Sequence, residues 1–414
     1  MLTWEEPEDM SKKVFEGINV VEFAAFAAGP GVGKHMADFG ATVVRVESRA
    51  VPDGFRTHYP PYTDNKPGVN RSGTFALFNN NKMDVTLDLK SPRAADVVKR
   101  IAAWADVVIE NMTPGTVNKL GVDYETLRKY RPDIIMLSTC NQGQTGPHAK
   151  HPGFGSHLSS LSGFTNATGY PGGPPNVVFG PYIDFIGVGY GLIGIVSALI
   201  YRLRTGKGQY IDNAQYENGL QFIAGALLDY ACNGHIAPRM ANRSPYAAPH
   251  GAYRCRGEDR WCVLSVSTDE DWRKLCTVMG KPELADDGRF ATFSARKQNE
   301  DELDQLIGSW TANYDDREIV EKLQLAGIRS ASVKTQEDLF ADPQLQARGF
   351  WHAIVHPEMG RHHYTDTPFQ LSKTPSQVDK PAPCLGEHNE YFYKTVLGIP
   401  EQEYEELVTL KVIN

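Results

Sequence analysis

Between residues 19 and 137 the chain alternates short apolar runs with stretches of helical character, and this alternation narrows the fold more than any other feature. The apolar runs fall at 19–24, 42–47, 85–89, 107–111 and 134–137. Between them lie a glycine turn that opens a helix to about Phe39, a helix over 92–104 with Pro92 at its start, and short helical pieces opening at Pro114 and Tyr124. Strands that keep one direction through helical crossovers form a parallel sheet with helices on both faces, and the crossovers are right-handed. The predicted class is α/β, a Rossmann-like and mostly parallel sheet. Ligands of such sheets bind outside the carboxyl ends of the strands. Asn111, Asn141 and the glycine turn fall there.

With 414 residues the chain is long enough for two domains with separate cores. A large domain is expected over 1–220, a linker over 221–250, a smaller α+β domain over 251–330 and a proline-rich C-terminal segment over 331–414. The formal net charge of −8 argues against general nucleic-acid binding, so an anionic ligand has to meet a local group of Arg and Lys. Six scattered cysteines show no CxxC spacing, which predicts neither a metal site nor a disulfide framework and fits a reducing cytoplasm. The acidic start, Met1 to Glu6, lacks the apolar core of a signal peptide, and residues 1–14 read as a loose arm.

Residues 185–201 carry no charge but include Gly187, Gly189, Gly191 and Gly194. The run falls short of the roughly twenty residues a membrane span needs and is predicted as a buried helix of a soluble core, with no membrane partner. Asp184 stands at its mouth, in Gly180-Pro181-Tyr182-Ile183-Asp184. Spacing alone allows two readings: an N-cap, for which Asp is a favoured residue, or a functional carboxylate, raised in pKa by burial and stabilised by the free amides of the helix start. The Gly29-Pro30-Gly31-Val32-Gly33 turn, followed by Glu47 at the end of the second run, invites a dinucleotide site. The glycines run G-x-G-x-G with a proline inside rather than G-x-G-x-x-G, so the turn is read as tight packing and Glu47 as a surface or loop-anchoring carboxylate.

Several stretches carry a more specific signal in their order. They are Phe15-Glu16-Gly17-Ile18 with Ala28-Gly29-Pro30; Phe39-Gly40-Ala41-Thr42 running to Glu47; Asn81-Lys82 with Leu87-Asp88-Leu89-Lys90; and Asp106 to Asn111 with Pro114-Gly115. Gly143-Gln144-Thr145-Gly146-Pro147, Thr205-Gly206-Lys207-Gly208-Gln209, Asp342-Pro343-Gln344-Leu345 and Leu385-Gly386-Glu387-His388-Asn389 follow. Together they resemble the family III CoA-transferases, the group that includes formyl-CoA:oxalate and carnitine CoA-transferases and the 2-methylacyl-CoA racemases. The resemblance implies a nucleophilic aspartate at Asp184, an acyl-CoA and a small carboxylic acid as substrates, and no permanently bound cofactor or metal. It implies CoA contacts at Phe26, Ala27 and Ala28, at Asn81 and Lys82, at Asn111 and at Lys119. It also implies open-ring subunits interlocked as a dimer, with the C-terminal segment returning to the large domain.

The racemase branch places a His in a Gly-His-Asp motif after the fifth strand. Here the stretch reads Gly153-Phe154-Gly155-Ser156-His157, and Phe154 cannot carry a proton. This favours transfer over racemisation. The aromatic loop from Phe55 to Tyr62 and Asn79 to Asn81 resemble the succinyl-CoA:benzylsuccinate CoA-transferases, which pair two related subunits, so either a homodimer or a heteromer is expected. A CoA-linked racemase and a non-catalytic CoA-binding subunit are the competing readings.

Overall fold

The computed structural model describes residues 13–414, so all but the end of the expected N-terminal arm lies outside the described residues. The large unit is built on six parallel strands: β1 (Asn19–Phe23), β2 (Thr42–Glu47), β3 (Met83–Thr86), β4 (Val107–Glu110), β5 (Ile135–Cys140) and β6 (Tyr210–Ala214), in the order β3-β2-β1-β4-β5-β6. That is a doubly wound order. The strand sequence reverses between β1 and β4, which opens a crevice at their carboxyl ends. Alternate residues leave β1 on opposite faces: Val20 joins Val32, Val43, Ile109, Val188 and Ile195, while Val21 joins Val44, Val98, Ile101, Val108 and Met136. Because both faces are covered by helices, the strands read in sequence as continuous apolar runs.

The glycine turn serves packing. The helix Ala28–Asp38 follows β1 directly. A Cβ on Gly29 would stand 2.7 Å from Ala24 Cβ, and one on Gly31 would stand 2.5 Å from Val188 on the long helix, so the three chain segments meet only because side chains are missing there. Gly33 gives the same room to the buried Glu22 carboxylate.

The aromatic loop from Phe55 to Tyr62 begins in a helical turn, Gly54–Thr57, and the helix Gly73–Asn79 follows it. The third strand sits a few residues earlier than its apolar run, because Leu87 turns into the core after the last sheet residue, Thr86. The long helix runs Tyr182–Thr205. One face packs on β5, β6, the first helix and the helices Gly155–Leu161 and Gln215–Phe222. The opposite face is open, with Ile193 63 % and Leu203 88 % exposed, so the expectation of a fully buried helix is corrected. Apolar sequence alone does not reveal which face finds a partner.

The chain forms two compact units: one takes the chain up to Thr165, Val177–His235 and Gln344–Asn414, the other Asn166–Asn176 and Ile236–Pro343. Phe392, Tyr393, Leu407, Val412 and Ile413 of the C-terminal part share a core with Val21, Val44 and Val108. The smaller unit has its own antiparallel sheet, β7 (His250–Arg254), β8 (Trp261–Ser265) and β9 (Arg329–Ser332), over a core around Trp272, Phe290 and Ile307. Residues 221–250, expected as a linker, begin with the helix Ala224–Asn233. The antiparallel hairpin β10 (Trp351–His356) and β11 (Gly360–Thr365) belongs to the large unit.

Candidate active site

The crevice between the carboxyl ends of β1 and β4 opens as a cleft of about 490 Å³. The Ala25–Ala28 turn lines one side and Asn111 to Thr116 the other, with Cys140, Asn141, the 149–155 loop, Asp184 and Gln215 completing it. A slightly larger hollow in the smaller unit is lined by Arg243, His250, Val263 and Arg329. Arg243 there is already held by Asp301 and Asp304, and no carboxylate lines the hollow.

Asp184 is the carboxylate of the cleft lining. It lies in the first turn of the long helix, behind Pro181 at the cap position, and its N–H donates to the Pro181 carbonyl at 3.0 Å. The capping reading is therefore corrected: Asp184 is inside the helix and its carboxylate makes no hydrogen bond or ion pair with a described residue. Burial alone pushes its carboxyl up to about 7. No charged side chain offsets this, because the cleft lining contains neither Lys nor Arg. The carboxylate has room because Gly155 faces it. A Cβ on Gly155 would stand 2.6 Å from Asp184 Oδ2 and 2.5 Å from Pro181 Cβ.

The β1 turn is held from two sides. Asn111 Oδ1 accepts from Ala25 N at 2.9 Å and its Nδ2 donates to Ala25 O at 2.6 Å. Phe26 adopts φ 62°, a left-handed conformation rare for a bulky residue. Its N–H donates to the Asp53 carboxylate at 3.0 Å, and Asp53 in turn pairs with Arg45. The Phe26 ring meets Phe55 at 5.4 Å, Tyr59 at 6.1 Å and Phe154 at 5.8 Å, all edge to face. Phe26, Ala27, Ala28 and Asn111 thus surround the same space as Asp184, although the Asn111 side chain is already bonded to the turn it supports.

Two expected CoA contacts do not reach the cleft. Lys82 is buried; its Nζ donates to both Glu22 oxygens at 2.9 and 3.0 Å, to Pro30 O at 2.7 Å and to Asn79 Oδ1 at 3.1 Å. No proton is left for a phosphate, and desolvation lowers this amine to about 8 despite the paired carboxylate. Asn81 donates to Asp38 at 2.7 Å and to Gln377 O at 2.6 Å and accepts from Lys380 N at 2.9 Å, which ties the C-terminal segment to the first helix. Both are structural ties, because the turn that leads into β3 lies against Glu22, the first helix and the C-terminal segment. Lys119 is exposed on the short helix Thr116–Leu120, whose first residue lines the cleft.

Glu47 is buried rather than superficial: it accepts from Arg45 at 3.1 Å, Arg56 at 2.9 Å and Asp53 N at 3.0 Å, anchoring the following loop. His157 is exposed, outside the lining, and its Nδ1 accepts from Phe154 N at 3.2 Å. The imidazole that does line the cleft is His151, in a loop without any periodicity that would place it. Gln215 also escaped the sequence reading. In the sequence it is marked only as a polar residue directly after the β6 stretch.

A ligand crevice at the switch point of a parallel sheet, carrying an unpaired carboxylate, marks the large unit as a small-molecule enzyme. The model of CoA-transferase family III matches residues 15–389, and the chain belongs to that family. It is 33% identical to the succinyl-CoA–D-citramalate CoA-transferase of Chloroflexus aurantiacus, over 96% of this chain and 98% of that protein. It is 34% identical to the succinate–glutarate CoA-transferase of Agrobacterium fabrum, over 91% and 94%. The crystal structure of a CAIB/BAIF family protein from Brucella suis superposes with TM-score 0.85 at 33% identity, covering 93% of this chain and all of that one. The protein is a CoA-transferase whose substrates are CoA thioesters.

Proposed function

We propose that this enzyme moves CoA from succinyl-CoA to a second dicarboxylic acid, with Asp184 as the covalent carrier. The observation that carries the reading is the unpaired Asp184 carboxylate in a cleft at the β1–β4 switch point. Its oxygen attacks the thioester carbonyl carbon, the C–S bond breaks and CoA leaves as the thiolate, giving a mixed anhydride. The thiolate then attacks the aspartyl carbonyl carbon and expels the donor acid as its carboxylate, leaving an aspartyl-CoA thioester. The acceptor carboxylate repeats these steps in reverse and restores Asp184. No proton is gained or lost overall, and each step exchanges groups of similar energy.

Succinyl-CoA as donor rests on the relatives whose names carry succinate or succinyl-CoA. Their partner acids, D-citramalate and glutarate, are dicarboxylic, and benzylsuccinate, the acceptor read from the sequence, belongs to the same class. The CoA phosphates are placed at the mouth of the cleft, near Lys119 and near Lys150, which stands between the lining residues Ala149 and His151. The exposed stripe Ile193, Val196, Ile200 and Leu203 on the long helix recurs at helical spacing, and a second copy or a homologous subunit is its proposed cover. The six free cysteines fit a reducing cytoplasm.

Incubation with succinyl-CoA and hydroxylamine, followed by peptide mass analysis, tests the reading. The expected result is a hydroxamate on the peptide that holds Asp184. Exchange of an α-proton without transfer, with His151 as the proton carrier, would replace it by the racemase reading; no adduct and no exchange would leave a CoA-binding subunit.

A further inference from the structure

Gln215 is the one buried polar group of the cleft that the scheme above leaves unused. It follows β6 directly, beside Cys140 and Asn141, and the next N–H, that of Tyr216, donates to Asn141 O at 2.8 Å. Gln215 is only 3% exposed, yet its Oε1 is fully enclosed without a hydrogen-bond partner, and its Nε2 bonds to no described residue. Its neighbours satisfy one another instead: Asn218 Nδ2 donates to Asn213 Oδ1 at 2.8 Å, and Asn213 Nδ2 to Thr139 Oγ1 at 3.2 Å. The enclosed oxygen is out of a ligand's reach, so the unpaired Nε2 protons are what this side chain has left to offer one.

The position of this side chain depends on the long helix. Gly187 lies one turn beyond Asp184, and a Cβ there would stand 3.3 Å from Gln215 Cγ. The carboxamide therefore lies across the helix face that Asp184 heads, and both residues line the same cleft. With no Lys or Arg in that lining, an amide is the fixed donor nearest in character to what a developing oxyanion requires.

We propose that Gln215 is a catalytic residue of the transfer: its carboxamide donates a hydrogen bond to the carbonyl oxygen carried on Asp184 in the anhydride and in the thioester. This rests on the Asp184 reading. When thiolate or carboxylate attacks that carbonyl, the new bond to carbon forms as the carbonyl electron pair moves onto oxygen, and collapse of the adduct expels the opposing carboxylate or thiolate. The amide keeps its proton throughout and serves only to hold the charge.

The test compares Gln215→Met, which keeps length and loses the donor, with Gln215→Glu, which keeps shape and adds a carboxyl, and with Asp184→Asn as reference. Succinyl-CoA is the probe; exchange rate, trapped adduct, thermal midpoint and pH profile are measured. Gln215→Met is expected to lose roughly 100-fold in kcat with KM and the thermal midpoint nearly unchanged. Gln215→Glu is expected to move the acidic limb of kcat/KM upward, because a second carboxyl beside Asp184 disfavours its ionisation. If Gln215→Met turns over within threefold of the parent while Asp184→Asn is inactive, the role of Gln215 is overturned and the carrier reading survives. Loss of activity together with a lowered midpoint and an unmoved limb in Gln215→Glu would likewise assign Gln215 to packing alone. An active Asp184→Asn enzyme would overturn both.

Discussion

Asp184 carries two opposed consequences of one burial. Its carboxyl rises from 3.8 to about 7 through desolvation alone. As the proposed nucleophile it must be ionised, so kcat/KM is expected to climb as pH rises through about 7 and then level off, which a pH–rate profile checks. The folded state retains a proton that the unfolded chain gives up near 3.8, so stability falls as pH rises from there to about 7. Asp184→Asn removes that decline. It is expected to abolish exchange, keep CoA binding, and raise stability at pH 8 by on the order of 1–3 kcal/mol, read from denaturation at pH 5 and pH 8. Gly155 bears on the same carboxylate. Gly155→Ala places a methyl 2.6 Å from Asp184 Oδ2, and the carboxylate or the Pro181 turn has to shift. Activity is expected to drop at least about tenfold and stability to fall by about 1–3 kcal/mol; an alanine variant with parental kinetics would show that the carboxylate does not need that space.

At the scale of elements, buried charges join β1, β2 and β3 to one another and to the loop after β2. Glu22–Lys82, Arg45–Asp53, Arg45–Glu47, Arg56–Glu47 and Arg56–Asp84 hold strands, loop and first helix together. Through Asp53 the cluster also fixes the Phe26 turn at the cleft. Lys82→Met leaves Glu22 as an uncompensated buried charge and is expected to cost about 3–5 kcal/mol, with much of the loss recovered when Glu22→Leu is added. The acyl-CoA KM of the folded fraction should not change. A Lys82→Met enzyme that melts normally but binds acyl-CoA weakly would return Lys82 to the substrate site. For Lys119, exposed beside the cleft, the opposite pattern is expected: Lys119→Ala raises KM for acyl-CoA severalfold and leaves melting unaltered.

For the whole molecule, the open stripe on the long helix is the feature that most needs a partner. Sedimentation is expected to give a species of at least twice the chain mass, and Ile193→Glu with Leu203→Glu to shift it toward the single chain; a parent protein that is a single chain at micromolar concentration would refute the covered-face reading. The α/β class and the run of parallel strands were legible in the sequence because strands buried on both faces must be apolar and a helix must return each to the same edge. That Asp184, Asn111 and the Phe26 turn line one cleft was legible because they stand at the ends of such runs and in motifs resembling a known family. Lys82 and Asn81 were misplaced, and of the two readings of Glu47 the loop-anchoring one held, because a polar side chain in a sequence does not reveal whether it is solvated or paired; only the packing of distant segments decided that. His151 and Gln215 reach the cleft through loop paths and through a missing side chain at Gly187. The sequence by itself determined the succession of parallel strands along the chain and the chemistry available at their tips. The tertiary structure decided which of those groups share one solvent-poor space, because burial and distance, which set pKa and pairing, exist only once distant segments pack together.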